Sequence, residues 1–370
     1  MANRLNRDVI IVGAGIVGCA TANFLARAGV SVTVLDPNGI AAGASGRNNG
    51  LVEHTYDAAT VGLFDETVEL LAQVLGDGFP REPIGTLLLT HDEASAQALE
   101  RQYSAFPSLA PRALDPDQAR AAEPLLAPGL WACMLRTGHP IMPVEATTAF
   151  ADLARIEGAE FVLGEPLTLV RDAGQVRGVS FGVDEYRADA VLICAGAAST
   201  AVLNGLVRPE IISPLWGVIV SVELPTRPRH PLIEGALAAA HGSGEVQMEA
   251  PFTLLDSPSW LAVGSTMLEG DEPDGAAWAP RLLARGCEFV PSIAQAEVKG
   301  ILACARPRAF DNRPILGRVP GQDQLWIAAG HGGRGMSIGA ASARLVAEAI
   351  VAGHDASLPS QLSANRLADD

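Results

Sequence analysis

Gly13, Gly15 and Gly18, followed 18 residues later by Asp36, have the spacing that holds a nucleotide. The first glycine permits a tight turn, the second lets a pyrophosphate approach the backbone at a helix N-terminus, and the third allows close helix–strand packing. Asp36 is placed to accept hydrogen bonds from ribose hydroxyls. Such a set works only on a strand, helix and second strand in the right order. Residues 9–12 form the short apolar run of a strand buried on both faces. Residues 20–28 read as a helix stopped by Gly29, and "VSVTVLD" is a β-branched strand ending in the acid. The complete unit points to dinucleotide binding and leaves NAD and FAD unseparated.

The bulk composition fits a two-lobed globular protein. At 370 residues the chain exceeds the size at which one core stops growing, so two lobes are expected. Hydrophobic residues make up 48% and charged residues 18%, with mean hydropathy +0.22, which suits a globule. The net charge of −16, with no Lys/Arg run, argues against a phosphate backbone or an anionic membrane as partner, so no nucleic acid is expected. Cys19, Cys133, Cys194, Cys287 and Cys304 are odd in number, with no CxxC pair and no zinc spacing, so a reducing compartment and no metal are expected. Thr21, Asn23, Arg27 and the glycines interrupt the early apolar stretch. It therefore reads as cytoplasmic structure rather than a signal peptide or transmembrane segment.

Beyond Asp36, residues 39–50 are small, polar and glycine-rich, suited to backbone passing close to a flat ligand. Residues 63–75 have helical spacing, and "IGTLLLT" reads as a strand of a second lobe beginning near Arg81. A helix and a strand follow over 144–164, then a hairpin around Asp172, Ala173 and Gly174, and a buried strand in "ADAVLICAG". Residues 211–263 are β-rich. The C-terminal part reads as a strand, a glycine loop and a small-residue helix, and the last dozen residues as a frayed tail.

With these pieces in order, the chain resembles the FAD-dependent D-amino-acid oxidase, glycine oxidase and sarcosine oxidase superfamily over nearly its whole length. Three motifs carry the resemblance: "GAGIVG" with Asp36, "GASGRNNG", and "RPRAFDNRPILG" with "GHGGRGM". It implies FAD, held without a covalent bond, and an α/β (α+β) fold: a glutathione-reductase-type FAD domain with a Rossmann-like βαβ unit, plus a mixed β-sheet substrate domain. The FAD domain would comprise residues 1–80, 142–208 and 306–370, and the substrate domain 81–141 and 209–305. Ser45, Gly46, Arg47, Asn48, Asn49 and Gly50 would pass the flavin ring, Leu167 would touch the adenine side, and Gly196 would end a strand near the pyrophosphate. Gly330, His331, Gly332, Gly333, Arg334, Gly335 and Met336 would wrap the pyrimidine end, with a helix N-terminus stabilising negative charge on the reduced ring.

The same resemblance puts Arg306, five residues before Asp311, where amino-acid-oxidising relatives hold the substrate carboxylate, with Arg308 as competitor. A guanidinium presents a planar donor fork matched to that group. Cys304 falls where sarcosine oxidases carry the cysteine bonded to flavin, although the neighbouring Arg-Pro goes with relatives that lack the bond. His54, Glu53 and Arg334 are further candidates at the reacting end. Where glycine oxidase and D-amino-acid oxidase place a substrate-domain tyrosine, "GEVQMEAPF" offers Gln247 and Met248, and none of Tyr56, Tyr103 and Tyr186 stands obviously there. The ending "GMSIGAASAR" looks closer to bacterial D-amino-acid and D-hydroxyproline dehydrogenases.

The expected function is therefore FAD-dependent oxidation of the Cα–N bond of a small D-configured or cyclic amino acid, by hydride transfer to flavin N5, giving an imine and then a 2-oxo acid. Alternatives are a secondary-amine oxidoreductase acting on sarcosine-like or opine-like compounds, and a flavin subunit of a heteromeric electron-transferring dehydrogenase. Oxygen, a quinone or a partner protein would take the electrons, and the chain would be a homo-oligomer or one subunit of a complex.

Overall fold

The computed structural model describes residues 8–240, 249–258 and 260–368, and among them the strands form four sheets. A six-stranded sheet runs, edge to edge, Ile315–Arg318, Leu325–Ala329, Ala190–Ile193, Asp8–Val12, Ser31–Asp36 and Glu160–Leu163. Its strands are parallel except the edge strand Ile315–Arg318. A parallel sheet needs both faces covered, which is why the central strand, DVIIV, is apolar throughout after its first residue. On one face lie the helices Ile16–Arg27, Val61–Leu75, Pro143–Ile156 and Gly335–Ala352, with Leu25, Val34, Phe150 and Ile338 in one core. On the other, an antiparallel sheet of Leu167–Asp172, Gln175–Phe181 and Asp184–Arg187 brings Val176, Val179 and Phe181 against Ile10, Val12 and Ile193. Its first hairpin turns at Ala173 (φ 47°) and Gly174 (φ 82°), both left-handed as a two-residue turn requires.

The first helix starts at Ile16, earlier than its apolar pattern over 20–28 predicts. The glycines explain the difference. Gly15 caps the helix with extended backbone, and Gly18 is inside its first turn, where a Cβ would stand 1.9 Å from the Gly13 carbonyl oxygen.

An eight-stranded mixed sheet follows the order Glu297–Ala309, Ile212–Glu223, Leu261–Gly264, Thr253–Asp256, Leu232–Glu234, Thr86–Thr90, Trp131–Leu135 and Arg112–Leu114. Thr86–Thr90 pairs parallel with Leu232–Glu234, so two chain segments far apart in sequence share one sheet. Its long strand Glu297–Ala309 runs unbroken through residue 306. The fourth sheet is the short pair Leu51–Val52 and His139–Pro140.

Gly332–Ala352 is long and apolar enough, by length and composition, to cross a membrane, yet most of it is buried inside the fold, so here it packs as a core helix.

The C-terminal residues correct the expectation of a frayed tail. Leu358, Leu362 and Ala364 are buried, the Leu316 N–H donates to the Leu362 carbonyl at 2.8 Å, and Arg366 pairs with Asp311. A run of polar residues around three apolar anchors conceals the docking. Leu362→Ala is expected to cost roughly 2–4 kcal/mol, as other buried leucine truncations do. A thermal melt that moves by several degrees is the anticipated result, and an unchanged melt would restore the loose tail.

Candidate functional site

A cavity of about 870 Å³ opens at the carboxyl ends of Asp8–Val12, Ser31–Asp36 and Ala190–Ile193 and reaches across to the eight-stranded sheet at Arg306 and Leu255. The carboxyl edge of an open parallel sheet is where such folds bind nucleotides. Its size is near the top of the roughly 300–1,000 Å³ usual for ligand sites.

At the end beside the parallel strands the backbone forms the wall. Gly13, with φ 113°, passes so close to the neighbouring strand that a Cβ would meet the Cys194 carbonyl oxygen at 2.4 Å. Gly15 lines the cavity at the N-terminus of the first helix, and a Cβ there would lie 3.0 Å from Ser45 Oγ. Ser45 Oγ in turn accepts from the Ile16 N–H at 2.9 Å, joining the "GASGRNNG" loop to that helix. The Asp36 carboxylate is fixed by three backbone donors: Ala14 at 2.7 Å on one oxygen, and Asn38 at 2.8 Å and Gly39 at 3.0 Å on the other. It faces the cavity, as do Leu167 and Gly196.

The loop after Asp36 divides its labour. Arg47, Asn48 and Asn49 line the cavity, while the Asn48 amide bridges the carbonyls of Ala44 and Ser45 and accepts from the Gly50 N–H at 2.9 Å. Arg47 makes no hydrogen bond or ion pair with a described residue. Gly18, Gly46, Gly50 and Gly330 stand behind the wall rather than on it. An added Cβ would lie 2.2 Å from the Ala41 carbonyl oxygen at Gly46, 2.5 Å from that of Ile141 at Gly50, and 2.9 Å from the Ala309 side chain at Gly330.

At the other end His331, Gly332, Gly333 and Arg334, and then Gly335 and Met336 at the start of the helix Gly335–Ala352, line the cavity. His331 is buried, its Nε2 has no hydrogen-bond partner, and burial pushes its pKa down to about 4, so the ring is neutral. His54 is held the same way, at about 4 through burial and then the nearby Arg334. Its Nδ1 accepts from the Tyr56 N–H at 3.0 Å and its Nε2 is unpartnered.

Arg306 projects from Glu297–Ala309 over Gly217 of the adjacent strand, its Nη1 donating to the Thr266 carbonyl at 2.9 Å and its Nη2 to Ser265 Oγ at 2.6 Å. Among the described residues no carboxylate pairs with it. Arg308 is occupied, bound to Glu269 at 2.7 Å and to Ser213 Oγ at 3.4 Å. Cys304 also lines the cavity, and burial pushes its thiol up, against the opposing pull of Arg306 and Arg47. Gln247 lies outside the described residues.

Sequence reading missed Tyr56. Set aside as one of three tyrosines with no evident place, it lines the cavity, its hydroxyl donates to Glu53 Oε1 at 2.8 Å, and its ring lies 4.7 Å from that of Tyr103. Its backbone is left-handed at φ 56°, uncommon for a residue with a Cβ and costing on the order of 1–3 kcal/mol. The available signal was its place two residues after His54. Ser265 and Met267, also at the cavity, carried no signal, since only sheet pairing brings them to Arg306.

A nucleotide-bearing flavin fits these residues: glycine backbone where a Cβ would intrude, an acid at the second strand, and two buried imidazole nitrogens left without partners. Gly15→Val puts a branched side chain into that cradle. About tenfold less flavin retained per protein, read from its visible absorbance with far-ultraviolet dichroism unchanged, is the expected outcome. Full retention would move the nucleotide elsewhere.

Comparison with known proteins agrees. Residues 8–349 match the family model DAO, described as FAD dependent oxidoreductase. Glycine oxidase of Pseudomonas aeruginosa is 26% identical over 361 residues, covering 93% of this chain and 94% of the relative. The structure of glycine oxidase from Geobacillus kaustophilus superposes with a TM-score of 0.82 at 22% identity, covering 98% of this chain and 99% of that one. That of iminodiacetate oxidase from Chelativorans gives 0.80 at 24%, covering 96% and 98%. With the family matched across most of its length and a nucleotide cradle built from its own glycines, this chain belongs to the DAO family of FAD-dependent oxidoreductases.

Proposed function

We propose that the protein oxidises the Cα–N bond of a small amino acid, D-configured or cyclic, to an imine that water converts to a 2-oxo acid. The observation that carries this is Arg306, a guanidinium in the cavity, aimed by Ser265 and Thr266 and paired with no carboxylate among the described residues, while its neighbour Arg308 is spent on Glu269. A fork so held presents its remaining donors to a substrate carboxylate and fixes the carbon beside it. Similarity to glycine oxidases over 93% of the chain supports an amine substrate.

Bound FAD supplies the acceptor for two electrons. The chain's own residues bind and orient. Arg306, together with Arg47 and Arg334, which form no ion pair with a described residue, makes the cavity locally cationic despite the net charge of −16, because distant surface charge is screened. Ile219, Ile233, Leu237, Leu255 and Met267 form an apolar wall that suits a small side chain and limits water. The lobe boundaries expected from sequence remain part of this reading. What supports them is that every strand of the six-stranded sheet falls in 1–80, 142–208 or 306–370.

Anaerobic addition of D-proline, D-alanine, glycine and sarcosine should bleach the flavin absorbance with at least one of them. Arg306→Leu is then expected to lower kcat/KM by about 100- to 1,000-fold, roughly 3–4 kcal/mol, and Arg308→Ala to change it by no more than about threefold. A reversed pattern would transfer the carboxylate to Arg308, and no bleaching by any amine would remove the reading.

Flavin attachment is taken as non-covalent, since the Cys304 thiol is buried and held protonated while the thiolate is the reactive form. Acid precipitation should therefore leave the flavin in the supernatant, whereas yellow precipitate that loses its colour in Cys304→Ala would show a thioether.

A further inference from the structure

Glu53 follows the short strand Leu51–Val52 and lines the same cavity as Arg306. Its backbone N–H donates to Ser337 Oγ at 2.9 Å, in the first turn of Gly335–Ala352, which anchors the main chain. Oε1 accepts from the Tyr56 hydroxyl at 2.8 Å, and no described residue donates to Oε2. Arg334 is near enough to favour the carboxylate yet forms no ion pair with it. Burial outweighs both and pushes the carboxyl up to about 7. A desolvated carboxylate without a counter-ion is costly, and a ligand bringing a positive nitrogen relieves that cost.

We propose that Glu53, steadied by Tyr56, anchors the substrate ammonium and accepts its proton. The amino acid is then gripped at both ends, the carboxylate by Arg306 and the nitrogen by Glu53. This rests on the amine-oxidising reading above. In the step, one ammonium N–H bond breaks and an O–H bond forms on Oε2. No electrons leave the substrate, and the freed lone pair is what loss of hydride from Cα requires.

The groups facing Glu53 hold their charge around neutrality. Burial first, then the Glu53 charge, keeps Tyr56 and Tyr103 protonated. His54 is neutral above about 4, Arg334 is a cation, Ser337 is uncharged, and Asp57 is paired with Arg313 at 3.3 Å. Among these, Glu53 is the group that changes charge near pH 7.

The test uses the FAD-loaded enzyme and calorimetry with two ligands of one shape. 2-Aminoisobutyrate has no Cα–H to lose, and pivalate replaces its ammonium with a methyl. The wild type should prefer the amine by about tenfold or more, with a preference that grows as pH rises through about 7. Glu53→Gln should abolish the preference and its pH dependence while leaving pivalate binding unchanged. Tyr56→Phe removes a hydrogen bond that lowers the Glu53 pKa and should move the inflection to higher pH. A preference surviving in Glu53→Gln, equal loss of both ligands there, or no preference in the wild type overturns the assignment. If amino acids still bleach the wild-type flavin in those cases, only Glu53's part has failed. Absence of bleaching removes the amine-oxidising reading and this one with it.

Discussion

Backbone against backbone is the contact on which this molecule depends. At Gly13 the chain leaves its first strand so close to the Cys194 carbonyl that a Cβ would lie 2.4 Å away, and at Gly18 the first helix presses on the Gly13 carbonyl closer still. Neither approach tolerates a side chain. Together they bring two parallel strands and a helix N-terminus to one point, which opens the cavity at the sheet's carboxyl edge. Ser45 extends the arrangement by taking the Ile16 N–H, so the next loop is fastened to the same helix end. The reacting end is set by pieces registered against this corner.

Burial then decides the charge of what lines the cavity. It lowers the pKa of His54 and His331 to about 4, so both are neutral near pH 7, raises that of the Cys304 thiol, and brings that of Glu53 to about 7. These shifts share one cause and differ in consequence. A histidine that loses its charge becomes a weakly polar wall, whereas a carboxyl poised at neutrality can take or give a proton. Arginine resists the same treatment, since its proton is held too tightly to lose, so Arg306 and Arg334 remain cations in an acidic protein.

Much of this was legible in the residues alone. The βαβ unit, the three motif segments, the hairpin at 172–174 and the mixed second sheet were readable because each depends on local spacing or on a short pattern with a physical reason. What escaped depends on distant parts of the chain. The tail docks because Leu362 meets Leu316, and Tyr56 matters because a left-handed turn swings it toward Glu53. The glycines of the loops were recognised as necessary, but which of them face the cavity and which give room behind it depends on strands that pair from elsewhere.

The choice between Arg306 and Arg308 shows where such limits lie. Two residues apart on one strand, both point to the same face of the sheet, so alternation cannot separate them. The neighbouring strand does. Leu215 is the register partner of Arg306, and Gly217, the partner of Cys304, lies diagonally beside it. An added Cβ at Gly217 would stand 2.5 Å from Arg306 Nη2, so the missing side chain is the bed in which the guanidinium lies on its way to Ser265 and Thr266. Arg308 pairs in register with Ser213 instead, within reach of Glu269. Both arginines line the cavity, but one glycine on an adjacent strand lays Arg306 toward Ser265 and Thr266, while an acid occupies Arg308.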